Sequence, residues 1–508
     1  LTGTLNNKGT LLSQNLSTLS AGTLLNDGKL AAKNLNISAP SLTSNGILQG
    51  NESLTLTTRN LLNGANGQFI SGSALDLNLD RLENQGLLYV NGGFTLKGNT
   101  LLNGGSLEAD ALDLHVDTLL NNPGVLLAHN GATLYGDTIA NSGQIAGNTV
   151  ALTATGITNS GLIQGTQQAK ATAQRMTNAT AGKWLSGGDF TVNVDVLNNA
   201  GTLQGNRIGL TGSSLDNLGV INGLTNLTGV FSGDLINGGQ LISGGSTDLR
   251  ATSLNNSGRL IGDTLALNAG SLGNSGLWQG TTGLVLQADT LTTGVNSRTL
   301  SGGDFTLTAG QLTTQGTLQG GLVNITADDW THKGSLLSQE GLTADVAGSL
   351  TTPGSIMSQK GLAIRAQQTD NSGSILSEGA ATLSGQTLKN QGSVQGKSLA
   401  LHQDSITNNG TLTGLDSLTL DAKKTLMARM AMATPQLTLI NGANGQLLTQ
   451  GTLDVTAGSV TNAGVWQGKN ILLAAQSLEN SGAMQSADGL NISVSGTLNS
   501  TAGSKITA

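Results

Sequence analysis

A single short pattern recurs through this chain at a nearly constant interval, and it limits the possible folds more than any other feature. The pattern is Leu-x-Asn-x-Gly-x-Leu-x-Gly followed by Leu-x-Leu, with clear copies at Ile157 to Gly165, Leu215 to Gly223, Leu254 to Gly262 and Leu272 to Gly280. The glycine of its Asn-x-Gly marks the register at Gly9, Gly28, Gly46, Gly67, Gly86, Gly105, Gly124, Gly143 and Gly161, in steps of 18 to 21 residues. The series runs on through Gly182, Gly201, Gly219, Gly239, Gly258 and Gly276, resumes from Gly316 to Gly410, and returns from Gly445 to Gly503. One hidden repeat in each of the two gaps brings the total to about 27. A fixed short period is the signature of a stacked architecture rather than of separate globular domains.

Each repeat reads as strands and turns. Leu recurs at every second position in Leu54-Thr55-Leu56, Leu75-Asp76-Leu77-Asn78-Leu79 and Leu418-Thr419-Leu420. That period places Leu on one face of an extended chain. Asn-Ser-Gly and Asn-Gln-Gly mark turns, where Asn and Gly tolerate positive φ. About 19 residues cannot bury their own Leu face, but coils stacked in register can. Leu then lies over Leu, and Asn over Asn at the turns, where carboxamides can ladder. The expected fold is all-β, a right-handed parallel β-helix, the hand following the usual crossover preference. At the spacing of paired strands, 27 coils correspond to a rod on the order of 130 Å.

Composition agrees. Only 10% of the 508 residues are charged and 2% aromatic, while Gly numbers 74 and Pro four. Low charge follows from stacking, since like charges repeated every coil would repel along the column. The 37% hydrophobic content separates the chain from disordered sequences, and Gly has no collagen period. The net charge of −7 with no basic stripe excludes a nucleic-acid partner. The absence of Cys excludes disulfides and thiolate metal sites, so no metal and no cofactor are expected. No apolar run is long enough for a membrane span, and no signal peptide precedes the first repeat. The chain begins in mid-repeat and is expected to be an excerpt of a longer one.

The blocks Asn141-Ser142-Gly143-Gln144-Ile145-Ala146-Gly147 and Asn256-Ser257-Gly258-Arg259-Leu260-Ile261-Gly262 resemble repeats of the filamentous haemagglutinin family. That family includes the large exoproteins of contact-dependent growth inhibition, and the resemblance covers essentially the whole chain. It implies two-partner secretion through an outer-membrane transporter and display on the surface of a Gram-negative bacterium. It implies a filament whose receptor is an outer-membrane protein or glycolipid on a target bacterium, or a host-cell surface. The amino-terminal secretion domain and the carboxy-terminal toxin domain of such proteins are missing, which implies a middle portion of stalk repeats with a receptor-binding region. An alternative is a host-cell or glycan adhesin rod, and another a bare spacer. A polysaccharide-degrading β-helix enzyme would need a carboxylate and basic cluster stacked across coils, and none is found. The chain is read as non-enzymatic.

Several irregularities are candidate partner-binding sites. Residues 421–436 break the register and contain Lys423, Lys424, Met427, Arg429, Met430 and Met432. Their composition favours helix, so a lateral protrusion with adaptable Met side chains is one reading, and a looped-out coil without ligand the other. Asp328, Asp329, Trp330 and His332 place two carboxylates near a histidine. As adjacent strand residues, the two Asp should point to opposite faces, which favours a decorated turn with His332 in the place of the usual Asn. Lateral insertions are also expected near 166–184 and 281–300, the first a polar stretch of slight helical character. Trp184, Trp278, Trp330 and Trp466 are read as core or strand-end residues, against a sugar-stacking role. His115, His129 and His402 look isolated. Two motif-like strings, Gly187-Gly188-Asp189-Phe190 with its copy at Gly302 to Phe305, and Gly392 to Ser398, are by-products of repetition. The latter has three residues between its glycines where a phosphate-binding loop needs four.

Overall fold

A computed structural model of the chain describes residues 2–422 and 436–508. It divides into two compact units, Leu1–Thr252 and Ser253–Ala508. Each unit is a right-handed parallel β-helix, and together they contain about 26 turns of about 19 residues, with no helix among the described residues.

The coil is legible in three consecutive strands, Leu87–Asn103, Ser106–Asn122 and Val125–Asn141, each of 17 residues. Two residues of turn complete the repeat. Each strand path bends at two corners, seen as register shifts between Val90 and Gly93 and between Gly98 and Thr100. The corners divide the coil into three faces. Between corners the side chains alternate, so Leu88, Val90, Phe94, Leu96 and Leu101 all lie within 1% of full burial.

Stacking in register carries the core from coil to coil. Leu88 lies over Leu107, Phe94 over Leu112 and Leu96 over Leu114. The next coil continues the columns with Leu126, Ala132 and Leu134. Each fully buried Leu, Ile or Val contributes about 1.5–3 kcal/mol, which no coil could gain alone.

The turns are built differently from the expectation. Positive φ is confined to Gly92, Gly316 and Gly503 among the described residues, and no Asn has it. The Asn-x-Gly glycines are needed for close approach instead. A Cβ at Gly143 would sit 2.0 Å from the Gly124 carbonyl oxygen, and one at Gly124 would sit 2.1 Å from that of Gly105. Gly143 N–H donates to Asn122 O at 2.9 Å, and Gln144 N–H to Gly124 O at 2.8 Å. Turn stacks on turn with no room for a side chain.

Three other expectations are corrected. Residues 166–184 and 281–300 are not lateral insertions or helical. They lie in the parallel strands Leu162–Asn178 and Leu277–Thr293, the turns that follow, and the starts of the strands Lys183–Ser186 and Arg298–Ser301. Their extra length is in five-residue turns, Asn178 to Gly182 and Thr293 to Ser297, closed by Gly182 N–H to Ala179 O and Ser297 N–H to Gly294 O. Asn63 to Gly67 and Asn441 to Gly445 are closed in the same way. The interval from Gly410 to Gly445 contains no hidden coil, because Asn408 bonds directly to Asn441 at 2.9 Å. The added residues fall between Asp421, paired with His402, and Thr438, paired with Ser405. They therefore interrupt one coil at its second corner. Lys423, Lys424, Met427, Arg429, Met430 and Met432 lie outside the described residues.

Candidate interaction surface

The inward side chain before each turn is the Asn of Asn-x-Gly, and it lies in the interior rather than on the surface. Asn84, Asn103, Asn122 and Asn141 are at most 2% exposed. Their carboxamides form a continuous chain, Asn84 Nδ2 to Asn103 Oδ1 at 2.7 Å, Asn103 to Asn122 at 2.7 Å and Asn122 to Asn141 at 2.8 Å. The second Nδ2 hydrogen goes to a carbonyl of the next coil, as from Asn103 to Val125 O at 2.9 Å. In the first unit this ladder continues through Asn159, Asn178, Asn199 and Asn217 to Asn237. In the second unit, one run joins Asn256 to Asn274 and another joins Asn371 to Asn480.

Between those runs the column holds Thr293, Thr314, His332 and Thr352, each 0% exposed. His332 does replace the usual Asn, and it points inward. Trp330 is also buried, at 1%. Neither side chain reaches a surface partner, which corrects their reading as contact residues: both occupy inward strand positions. Asp328 and Asp329 do not alternate between faces. A register shift between Ala327 and Trp330 marks a corner there, and it turns both carboxylates outward. Asp329 accepts from the Ser349 backbone N–H at 2.8 Å and from Gln311 at 3.2 Å. These bonds hold its carboxyl below the usual range. All four Trp are core residues, with exposures of 0 or 1%.

Grooves lie at both corners of the coil. At the first corner in the first unit, one of about 430 Å³ is lined by Thr149, Gln167, Gln168, Asp189, Asn206 and Arg207, and others lie at the second corner. In the first unit a groove of about 530 Å³ there is lined by Asn78, Asp80, Lys97, Asp113, His115 and Asp117. In the second unit a groove of about 420 Å³ has a floor of Ala269, Ala288, Ala309, Gly270 and Gly310. Its walls carry Asn268, Gln287, Asp289 and Asp328. A smaller one of about 160 Å³ is lined by Asp345, Arg365, Gln367 and Gln386. Small residues before the corner leave the space, and polar side chains in the outward columns flank it.

The histidines that look isolated in sequence are not isolated in space. His115 stacks on Tyr135 of the next coil, with ring centroids 4.3 Å apart, and its Nε2 lies 3.3 Å from Asp113. His129 lies 3.1 Å from Glu108 and 3.3 Å from Asp110 of the coil before. His402 contacts Asp421. Apart from Asp113, two residues before His115 on the same strand, the partners lie about one coil away in sequence. Elsewhere acidic residues meet Lys or Arg across coils, as in Lys33–Glu52, Arg207–Asp189 and Lys469–Asp488. From Gly98 to Ala169 there is no Lys or Arg, and five carboxylates share this surface with the two histidines. No cluster of three or more metal-ligating side chains able to hold an ion occurs among the described residues. Among the same residues no helix is long and apolar enough to cross a membrane.

The haemagglutinin repeat family model matches residues 1–39, 30–93, 260–329, 321–423 and 416–502. A tRNA nuclease CdiA of Escherichia coli strain NC101 is 49% identical over 253 residues, 50% of this chain and 8% of that protein. A 16S rRNA endonuclease CdiA of Enterobacter cloacae is 47% identical over 270 residues, 53% of this chain and 8% of the relative. A deoxyribonuclease CdiA of Dickeya dadantii is 30% identical over 364 residues, 71% of this chain and 9% of the relative. The chain thus spans less than a tenth of the length of these relatives. No solved structure matches it.

Proposed function

This chain belongs to the filamentous haemagglutinin repeat family, as a repeat region of the contact-dependent growth inhibition exoprotein type, and from that premise we propose that it is a non-catalytic stalk segment. In this reading it is secreted through an outer-membrane transporter, lies on the surface of a Gram-negative bacterium, and carries a receptor-binding region toward a neighbouring cell. The observation that supports it is the variety of its relatives. Proteins named for cutting tRNA, 16S rRNA and DNA each match half or more of this chain. Repeats of a kind found in three different nucleases do not encode the difference between them, and presentation or delivery is what such proteins have in common.

The receptor-binding part of the proposal rests on the second corner. Grooves recur there in each unit, and the added residues 423–435, with their Lys, Arg and Met side chains, join the coil at that corner. Asp328 and Asp329 stand outward at the same corner and remain candidates for contact. The receptor in this reading is an outer-membrane protein or glycolipid.

The test is binding of the labelled chain to intact bacteria and to epithelial cells in parallel. Saturable binding to bacteria, reduced at least tenfold by deletion of residues 423–435, is the expected result. Binding to neither cell type would reduce the segment to a spacer. Binding to epithelial cells alone would replace the bacterial receptor by a host one.

A further inference from the structure

His332 is the one ionisable side chain among the described residues that is buried, at 0% exposure. It occupies a ladder position that Asn, Ser or Thr holds in the other coils. Its hydrogen bonds determine its proton. Trp330 Nε1–H can only donate, and it does so to Thr314 Oγ1 at 2.8 Å. The Thr314 hydroxyl is thereby free to donate to His332 Nδ1, 2.8 Å away. The Ser355 carbonyl can only accept, so the Nε2 3.0 Å from it carries the hydrogen. The neutral imidazole is satisfied on both sides.

A second proton would go to Nδ1, where the Thr314 hydroxyl already points its hydrogen. That hydroxyl would have to turn away, leaving a charged ring in the interior. The coils packed against it provide no counter-charge. The preceding coil presents Thr314 and the following coil Thr352 and the Ser355 carbonyl. The ionisable neighbours along the chain, Asp328, Asp329 and Lys333, are on the outer surface, and no ion pair reaches the ring. The ladder is also weak here. Thr352 Oγ1 and Asn371 Oδ1, successive in the column, are buried without a hydrogen-bond partner.

We propose that the coils from Thr314 to Ser355 form an acid-sensitive weak point in the second unit, opening locally when His332 takes up a proton. Burial holds the imidazole below the usual histidine range, and the Ser355 and Gly334 backbone groups offset this only in part. The unfolded imidazole titrates near about 6.5. As the folded value is lower, the open coil binds the proton more readily. Local stability is then complete above about pH 6.5 and falls as the pH drops below it. One proton taken up per opening allows up to about a tenfold rise in the opening equilibrium per pH unit.

The test is native-state hydrogen exchange of the 508-residue chain at pH 7.5 and 5.5, corrected for the intrinsic pH dependence of exchange. Peptides from 314–355 are expected to lose protection by several-fold, up to about tenfold, at the lower pH. Peptides from the Asn-laddered coils at 371–412 are not. His332→Asn and His332→Thr, which match residues found elsewhere in the column, should both abolish the change while His115, His129 and His402 remain. A loss that persists in either folded variant, an equal loss across the unit, or no loss in the parent chain would each overturn the proposal. The comparison between regions of the parent chain decides it even if both variants fail to fold.

Discussion

A buried carboxamide has two hydrogens to donate and two lone pairs to fill, and its position in a stacked coil determines how many it uses. Asn122 accepts from Asn103 and donates to Asn141 Oδ1 and to Gln144 O. Replacing it by Leu would orphan a donor above and an acceptor below. Each orphaned buried group costs about 1–3 kcal/mol, so Asn122→Leu should destabilise its coils by about 3 kcal/mol. Asn63 begins a run, and its Oδ1 has no partner, so Asn63→Leu orphans one fewer group and should cost less. Native-state exchange of the flanking strands measures both. Equal losses would show that the chain of carboxamides is not what the residue contributes. The Asn repeat could be seen in the sequence, but its interior placement could not. Polar turn residues are usually at the surface, and only the stack supplies the neighbours above and below that let an amide remain inside.

The turn is the element where local and tertiary demands are most easily confused. Its Asn-x-Gly sequence resembles one chosen for positive φ, yet the backbone at Gly143 needs none. The constraint is the neighbouring turn. Gly143→Ala forces a Cβ against the Gly124 carbonyl and should disrupt stacking there, appearing as insoluble or partly unfolded protein. Gly156 has no atom within 4 Å of a Cβ position, and Gly156→Ala should be neutral or stabilising by up to about 1 kcal/mol. Circular dichroism and thermal melting of the two variants separate the explanations: similar effects would return the role to local conformation. The longer turns carry the same lesson. The 21-residue steps were legible as irregular, but not that two added residues fit into a hydrogen-bonded turn without leaving the coil.

At the scale of each unit, the repeat makes stability local, since a coil touches mainly the coils beside it. Removing one whole coil should therefore be tolerated. Deletion of residues 105–123 joins Gly104 to Gly124, restores an Asn-x-Gly turn, and brings Asn103 within one step of Asn141, as Asn103 and Asn122 are now, 19 residues apart. A soluble protein with an unchanged β spectrum is expected. Removal of half that length should instead shift every inward residue of the joined coil and yield aggregated material.

The sequence by itself determined the coil, its length, its Leu columns and its family, because all of these are periodic and a period survives without coordinates. It also showed where the period fails, at 421–436, and where the turn Asn is replaced, at His332. Only the tertiary structure decided which residues meet across the period. It placed His115 on Tyr135, buried Trp330 and His332, turned Asp328 and Asp329 outward together, and located the grooves at the corners. The reason is that corners shift the alternation of faces by one residue. Inside and outside are then set by where the chain bends, and bends are stabilised by the neighbouring coil rather than by the residues that make them.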